Sequence, residues 1–118
     1  MSDSTYDSPA SKELLFLGGE IKTPPFSAAA RQETGDLLRS VQEGEKLDFP
    51  MSRPLPSLGR RCHELRVNDE TVTWRVIYRI DPDAVLVCAV FPKKTEKIPK
   101  RILDACRHRL AMYDRNAR

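Results

Sequence analysis

The 118-residue sequence lacks the signatures of several large classes of protein. No apolar run approaches the roughly 18 residues that a membrane helix needs, and the first residues, MSDSTYDSPASKE, are polar and partly acidic, unlike a signal peptide. It contains no glycine-rich phosphate loop, no HExxH and no GxSxG, so nothing supports nucleotide triphosphate hydrolysis, zinc proteolysis or serine hydrolysis. We therefore expect a cytoplasmic protein whose chemistry uses no cofactor and no metal.

Cysteine and histidine are also scarce. The three cysteines, Cys62, Cys88 and Cys106, lie far apart without a CxxC pair, and the two histidines, His63 and His108, stand beside the first and the last of them. This spacing fits neither a disulfide framework nor a zinc site. We expect the cysteines to be buried as small apolar residues.

The acidic and basic residues are unevenly distributed along the chain. Up to Ser52 there are five basic against nine acidic residues, which gives −4, whereas the remainder carries fifteen against eight, which gives +7. This asymmetry predicts a polyanion site on the C-terminal half, or a surface for an acidic protein partner.

The hydrophobic pattern predicts one α+β domain over residues 13–118 after a disordered tail of residues 1–12. The predicted strands are residues 14–17, 62–67, 72–80 and 85–91, the predicted helices are residues 27–43 and 99–113, and residues 49–59, with three prolines, are predicted to form a loop. Short connections between the last three strands indicate an antiparallel meander, to which the N-terminal strand is added. We expect both helices to pack on one face of the sheet.

The strand TWRVIYRI places two arginines on the face opposite its apolar residues. Trp74, Val76, Tyr78 and Ile80 share one parity, and Arg75 and Arg79 share the other. If Leu65 and Val67 of the preceding strand face the helices, Glu64 and Arg66 join the two arginines on an open face, rimmed by lysines of PKKTEK. Arginine suits phosphate binding because its planar fork donates two parallel hydrogen bonds. The alternatives for these residues are a solvated basic face, and an ion pair from Glu64 to Arg66 or Arg75.

Several motifs in fixed order resemble those of a known family. They are TPPFS (23–27), LLRSVQEGE (37–45), SRPLPSLGRRCHELRV (52–67), WRVIYRIDPDAV (74–85), VFPKKT (90–95) and PKRILDACRHRLAMYD (99–114). Together they resemble the phage-derived, HigB-like branch of the RelE/ParE toxin superfamily over nearly everything after residue 13. The resemblance implies a small RelE-like fold and a type II toxin that inhibits translation by cutting messenger RNA in the ribosomal A site. It also implies a cognate antitoxin, often a helix-turn-helix, HigA-like protein.

The resemblance also assigns roles to particular residues. Arg75 matches the arginine that contacts the scissile phosphate, Lys93 or Lys94 matches a charge-stabilising residue, and Arg66 matches the basic residue of the preceding strand. Further RNA contacts are expected from Arg60, Arg61, Arg79, Lys97 and His63, although the parity of His63 also fits an interior position. Where studied relatives have a tyrosine early in the last helix, this chain has Pro99, Lys100 and Arg101, so the general base is not identified.

Two other functions fit the same fold. A gyrase-targeting, ParE-like toxin would bind its target without catalysis, and a regulatory module would bind nucleic acid without cutting it. The first predicts DNA damage on expression, and the second predicts normal growth with salt-sensitive binding to RNA or DNA.

Overall fold

The computed structural model describes residues 11–18 and 26–117, which form one mixed sheet and two helices. In chain order the elements are β1 (Glu13–Phe16), α1 (Ala28–Gln42), β2 (Ser52–Pro54), β3 (Cys62–Asn68), β4 (Thr73–Ile80), β5 (Ala84–Pro92) and α2 (Lys100–Asn116). The five strands lie in the order β1-β5-β4-β3-β2, with β1 parallel to β5 and the other neighbours antiparallel. The predicted α+β class, the meander and the N-terminal strand are confirmed. Predictions for residues 1–10, for Gly19 and for residues 23–25 lie outside the described residues.

Residues 49–59 contain a strand that the sequence did not predict. Ser52–Pro54 form the edge strand β2, which pairs antiparallel with His63–Leu65 of β3. The hydroxyls of Ser52 and Tyr78 are hydrogen-bonded at 2.6 Å in the interior. Prolines are tolerated at the end of an edge strand, because no neighbouring strand needs their missing N–H group. The prediction of a loop over this whole segment is therefore wrong.

Helix α1 covers one face of the sheet, here called the α1 face. The Ser27 hydroxyl accepts a hydrogen bond from the backbone N–H of Ala30 at 3.0 Å and caps the helix, and Gly44, with φ of +97°, follows its last turn. Ala30, Leu38 and Val41 pack against sheet residues of one parity, which are Leu65, Val67, Trp74, Val76, Tyr78, Val85 and Val87.

Helix α2 packs on the opposite face, here called the α2 face, so the prediction that both helices share one face is wrong. Its residues Cys106 and Leu110 form a second core with Ile77, Leu86 and Cys88. The central strands carry apolar side chains of both parities, and each face therefore needs its own cover. The three cysteines are free thiols buried in this second core, which confirms the interpretation of the cysteines as small apolar residues.

Asp69 joins the turn between β3 and β4 to the beginning of α1. Its carboxylate accepts hydrogen bonds from the Ser27 backbone N–H and the Trp74 indole N–H, both at 2.9 Å, and from the Glu70 backbone N–H at 2.8 Å. The hydrogen bonds from Ser27 foremost, followed by that from Trp74, hold the pKa of Asp69 well below its ordinary value. The ionised carboxylate therefore stabilises the folded chain.

This arrangement predicts a pH-dependent loss of stability in the variant Asp69→Asn. A carboxyl group with a lowered folded-state pKa contributes fully above its unfolded pKa of about 3.9, and the contribution disappears as the pH falls toward the folded-state value. We expect Asp69→Asn to have a lower urea midpoint than the parent chain at neutral pH, and the difference to shrink in acid. A difference that stays constant from neutral pH into strong acid would contradict this explanation.

Candidate nucleic-acid interface

The strand register confirms the prediction that the charged residues of β3 and β4 share one face of the sheet; they are Glu64, Arg66, Arg75 and Arg79. Arg66 lies directly opposite Arg75, Cys62 lies opposite Arg79, and Glu64 lies opposite Ile77, so all these side chains point to the α2 face. This face is not open as predicted, because Arg75 is only 2% exposed and Arg79 only 8%. Helix α2 covers the Arg79 end of the face, and residues 93–97 contact the guanidinium of Arg75.

Arg79 lies in an ion network that attaches α2 to the sheet. Its guanidinium donates to both carboxylate oxygens of Asp81, at 2.8 and 2.9 Å, and to both of Asp114, at 3.0 and 2.6 Å. The hydrogen bonds that Arg79 donates to Asp114 first, and then to Asp81, raise the pKa of Arg79 above its ordinary value. Arg61 also donates to Asp81, at 2.9 Å. Arg61 and Arg79, which were predicted to contact RNA, therefore both lie in this network. In the strand register Arg79 lies opposite Cys62, and Cys62 is roughly 13 Å from Arg66 along β3, so Arg79 is at the other end of the face from Arg66.

The other end of the α2 face holds a group of charged residues that we call the Glu64 cluster, consisting of Arg53, Glu64, Arg66 and Arg75. The carboxylate of Glu64 is 1% exposed and accepts a hydrogen bond from Nε of Arg75. Nε of Arg66 lies 3.5 Å and Nε of Arg53 lies 3.7 Å from its other oxygen. Three guanidinium groups thus surround one buried carboxylate, which leaves a local excess of positive charge.

Each of the three guanidinium nitrogens of Arg75 donates a hydrogen bond to an acceptor of the protein itself. Besides Glu64, it donates from Nη1 to the carbonyl oxygen of Thr95 at 2.9 Å and from Nη2 to that of Glu96 at 3.1 Å. Its guanidinium also lies 5.7 Å from the ring centroid of Phe91. Arg75 therefore fixes residues 93–97 against the Glu64 cluster.

Arg66 differs from Arg75 in that part of its hydrogen-bonding capacity is unused. Its Nε and Nη2 are buried, yet neither has a hydrogen-bond acceptor within the described part of the chain. The side chain as a whole is 19% exposed. Buried donors of a charged group are rarely left without an acceptor, because the cost of removing them from water is then not offset. An anionic ligand is the kind of group that would satisfy Arg66.

The lysines of residues 93–97 lie at the rim of this region. Lys93 donates to the carboxylate of Glu96 at 2.6 Å, and this hydrogen bond lowers the pKa of Glu96, whereas Lys94 and Lys97 are exposed. Lys93 and Lys94 line a cavity of about 670 Å³ together with the turn between β3 and β4. Lys94 also lines a smaller cavity of about 240 Å³ with Arg75 and with Arg101 of α2. The structure thus brings Arg66, Arg75, Lys93 and Lys94 to one end of the sheet.

Two of the predicted RNA contacts lie elsewhere. The imidazole of His63 is on the α1 face, where it stacks on Tyr78 with the ring centroids 5.4 Å apart, and Nδ1 lies 3.1 Å from the carbonyl oxygen of Arg61. Burial lowers the pKa of His63 below its ordinary value. Arg60 is exposed just before β3. Neither residue belongs to the Glu64 cluster.

The sequence analysis missed Arg53 as a member of the site. Because residues 49–59 were assigned to a loop, no parity was given to Arg53, which in β2 lies opposite Glu64. The triplet Ser52, Arg53, Pro54 is too short for alternation to reveal a strand.

The described residues contain no group of three or more histidine, cysteine, aspartate or glutamate side chains arranged to hold a metal ion. Within the same residues, neither helix is both long and apolar enough to cross a membrane.

No curated protein and no solved structure matches the chain. A family model described as phage-derived protein Gp49-like (DUF891) matches residues 24–111, which contain α1, all of β2–β5 and most of α2. The Glu64 cluster and residues 93–97 lie entirely within the matched range. The chain therefore belongs to the Gp49-like family of phage-derived proteins, a family associated with toxin–antitoxin systems.

Proposed function

We propose that this protein is the toxin of a type II toxin–antitoxin system and a RelE/ParE-like endonuclease that cuts messenger RNA on the ribosome. The observation that carries the proposal is that the buried Nε and Nη2 of Arg66 have no hydrogen-bond acceptor among the described residues, in a cluster with excess positive charge. A phosphodiester supplies both the negative charge and the oxygen acceptors that this cluster lacks. Membership of a toxin–antitoxin-associated family supports the biological context.

The proposed reaction is attack by the ribose 2′-oxygen on the adjacent phosphorus. The 2′-hydroxyl loses its proton to water and the new P–O bond replaces the bond to the 5′-oxygen, which takes up a proton, so the products carry a 2′,3′-cyclic phosphate and a 5′-hydroxyl. Negative charge accumulates on the non-bridging oxygens at the pentacoordinate stage, and a guanidinium that binds this charge more strongly than the ground state lowers the barrier. The nucleophile belongs to the RNA, and the mechanism therefore needs no metal-bound water.

Arg66 contacts the phosphate directly in this mechanism, and Arg75 acts as a positioning residue. Arg75 has its three nitrogens occupied by Glu64, Thr95 and Glu96, and it holds the segment that carries Lys93 and Lys94. Lys94 is exposed at that edge. In the proposed reaction it donates a proton to the leaving 5′-oxygen. The ribosome orients the RNA for in-line attack, which accounts for a site without a dedicated carboxylate or histidine base.

The charge distribution also fits the proposed partners. The excess of basic residues after Ser52 favours binding to messenger and ribosomal RNA through their phosphates. The same surface suits an acidic segment of a cognate antitoxin, which would block RNA by covering the Glu64 cluster. A helix-turn-helix, HigA-like protein is the antitoxin that we propose.

The proposal predicts that cleavage depends on a single hydroxyl group of the substrate. Cut sites are first mapped by primer extension in a reconstituted translation reaction, and a message with one 2′-deoxynucleotide 5′ to the mapped cut is then compared with the all-ribose message. We expect the cut to disappear only at the modified position, because the nucleophile is missing there, and the all-ribose product to end in a 2′,3′-cyclic phosphate.

Cleavage that is unchanged by the 2′-deoxy substitution would exclude this mechanism. Intact messages with growth arrest and DNA damage after expression would instead indicate the gyrase-targeting function. Intact messages with normal growth would indicate a non-catalytic binding module.

A further inference from the structure

An exposed aromatic ring lies beside the Glu64 cluster. Phe49, just before β2, is 68% exposed, the largest exposed fraction among the big apolar residues in the described part of the chain. The guanidinium of Arg53 lies over this ring, 4.8 Å from its centroid. Arg53 is also one of the three arginines around Glu64. The ring is therefore held next to the site by a cation–π contact, while most of its surface remains accessible.

Phe49 and Arg66 line the same small cavity. The cavity has a volume of about 270 Å³, and its lining residues are Glu33, Phe49, Pro50, Met51, Arg53, Arg66 and Asn68. This volume lies just below the roughly 300–1,000 Å³ of sites for drug-sized ligands, and it suits a single flat ring system. Asn68 offers both a donor and an acceptor, and Glu33 offers acceptors, for the edge of such a ring.

We propose that Phe49, held by Arg53, stacks on an unpaired base of the RNA next to the phosphate bound by Arg66. The ligand class is a single-stranded nucleotide, which combines a flat π-surface with an adjacent anion. This inference rests on the proposed function and adds a base-binding subsite to it. Stacking on aromatic side chains accepts every base, so the subsite adds affinity and fixes the position of the strand.

The charges around the ring favour RNA over an apolar protein surface as its occupant. Arg53 and Arg66 flank the cavity, and Arg66 has two buried donors without an acceptor in the described residues. An apolar protein segment on Phe49 would bury these guanidinium groups further without giving them an anion, which is unfavourable. A nucleotide provides a base to stack on the ring and a phosphate to accept hydrogen bonds from Arg66.

The test measures binding of the full chain to a short unstructured RNA that contains 2-aminopurine, whose fluorescence is quenched by stacking. Phe49→Leu keeps an apolar side chain but removes the π-face, and we expect its affinity for RNA to be roughly 5- to 100-fold lower, with loss of the quenching. Phe49→Trp should retain both. The matched control is Phe16→Leu, since Phe16 is 43% exposed on β1 at the other edge of the sheet, and this variant should bind like the parent chain.

An RNA with one abasic position separates stacking from phosphate binding. We expect the missing base to lower the affinity of the parent chain by the same factor as the Phe49→Leu substitution lowers the affinity for the complete RNA. The Phe49→Leu variant should bind the complete RNA and the abasic RNA equally well. Equal binding of both RNAs by the parent chain, or normal quenching by Phe49→Leu, overturns the subsite. If the subsite is overturned in this way but Arg66→Ala still weakens RNA binding, the proposed function stands without the base-binding subsite. If the parent chain binds no RNA at all, alone or on the ribosome, both proposals fail.

Discussion

Replacing Arg66 with alanine is expected to lower the rate of ribosome-dependent mRNA cleavage by about 100- to 1,000-fold, the typical cost of removing one group that stabilises transition-state charge. The variant loses the guanidinium whose Nε and Nη2 have no acceptor among the described residues. The rate is measured in single-turnover reactions with ribosomes carrying a defined codon in the A site. The loss should appear in the rate at saturating toxin, since the interaction is strongest in the transition state.

The stability of the Arg66→Ala variant should change little. Arg66 contributes only a 3.5 Å ion pair to Glu64 and lies directly opposite another arginine, Arg75. We expect a change in the free energy of unfolding of about 1 kcal/mol or less, because the Coulombic gain from Glu64 is offset by repulsion between neighbouring guanidinium groups. Lost cleavage in a fully folded variant then reports on chemistry.

A control with the same change in net charge is Arg107→Ala. Arg107 is 48% exposed on α2 and donates to Asp104 and to the Ser57 carbonyl oxygen, away from the Glu64 cluster. Cleavage by this variant should stay close to that of the parent chain. If the two variants lose activity equally, net charge and not position determines the rate, and Arg66 does not contact the scissile phosphate.

The meander was predictable from sequence because its signals are local. Alternation in residues 72–80 assigns Trp74, Val76 and Tyr78 to one face, and short polar turns join the three strands. Helix α1 was predicted over residues 27–43 and is observed over Ala28–Gln42, and in the structure Ser27 caps its start while Gly44 follows its last turn. Each of these features depends on residues within a few positions of one another.

The placement of α2 depends on contacts that local patterns do not contain. Alternation showed two arginines opposite the apolar parity of β4, and this suggested an open face. It did not show that Asp114, 35 residues further along, neutralises Arg79. Nor did it show that Ile77, Leu86 and Cys88 together form a second apolar surface that needs a helix. A charged residue in a strand indicates a solvent-exposed face only when no residue of opposite charge from another part of the chain forms an ion pair with it.

The sequence predicted three of the four members of the Glu64 cluster, but it missed Arg53 and did not predict which role each arginine has. The register placed Arg66 opposite Arg75, as parity required. The carbonyl oxygens of Thr95 and Glu96 accept hydrogen bonds from Arg75 and not from Arg66. Both carbonyl groups belong to the segment that follows β5, far from either arginine in the sequence. Backbone acceptors have no side-chain signature, and the sequence therefore could not distinguish an arginine that binds substrate from one that holds the site together.

Replacing Arg75 with methionine is expected to lower the free energy of unfolding by about 3–5 kcal/mol, the usual cost of removing one partner from a buried ion pair. Methionine fills much of the space, so the loss comes mainly from the carboxylate of Glu64, which is 1% exposed and would keep only the longer contacts to Arg53 at 3.7 Å and Arg66 at 3.5 Å. Urea denaturation at neutral pH measures the loss. Cleavage should also fall, because Thr95 and Glu96 lose the donor that holds Lys93 and Lys94 in place.

The double variant Glu64→Leu, Arg75→Met tests whether the stability lost in Arg75→Met comes from the unpaired carboxylate of Glu64. Removing both charges should restore much of the stability, since an apolar pair of similar volume often replaces a buried ion pair at little cost. Cleavage should stay low in the double variant, because residues 93–97 remain without their anchor. If Arg75→Met instead unfolds as easily as the parent chain while losing all cleavage, Arg75 is held for the substrate. In that case residues 93–97 must move to expose its guanidinium to the scissile phosphate.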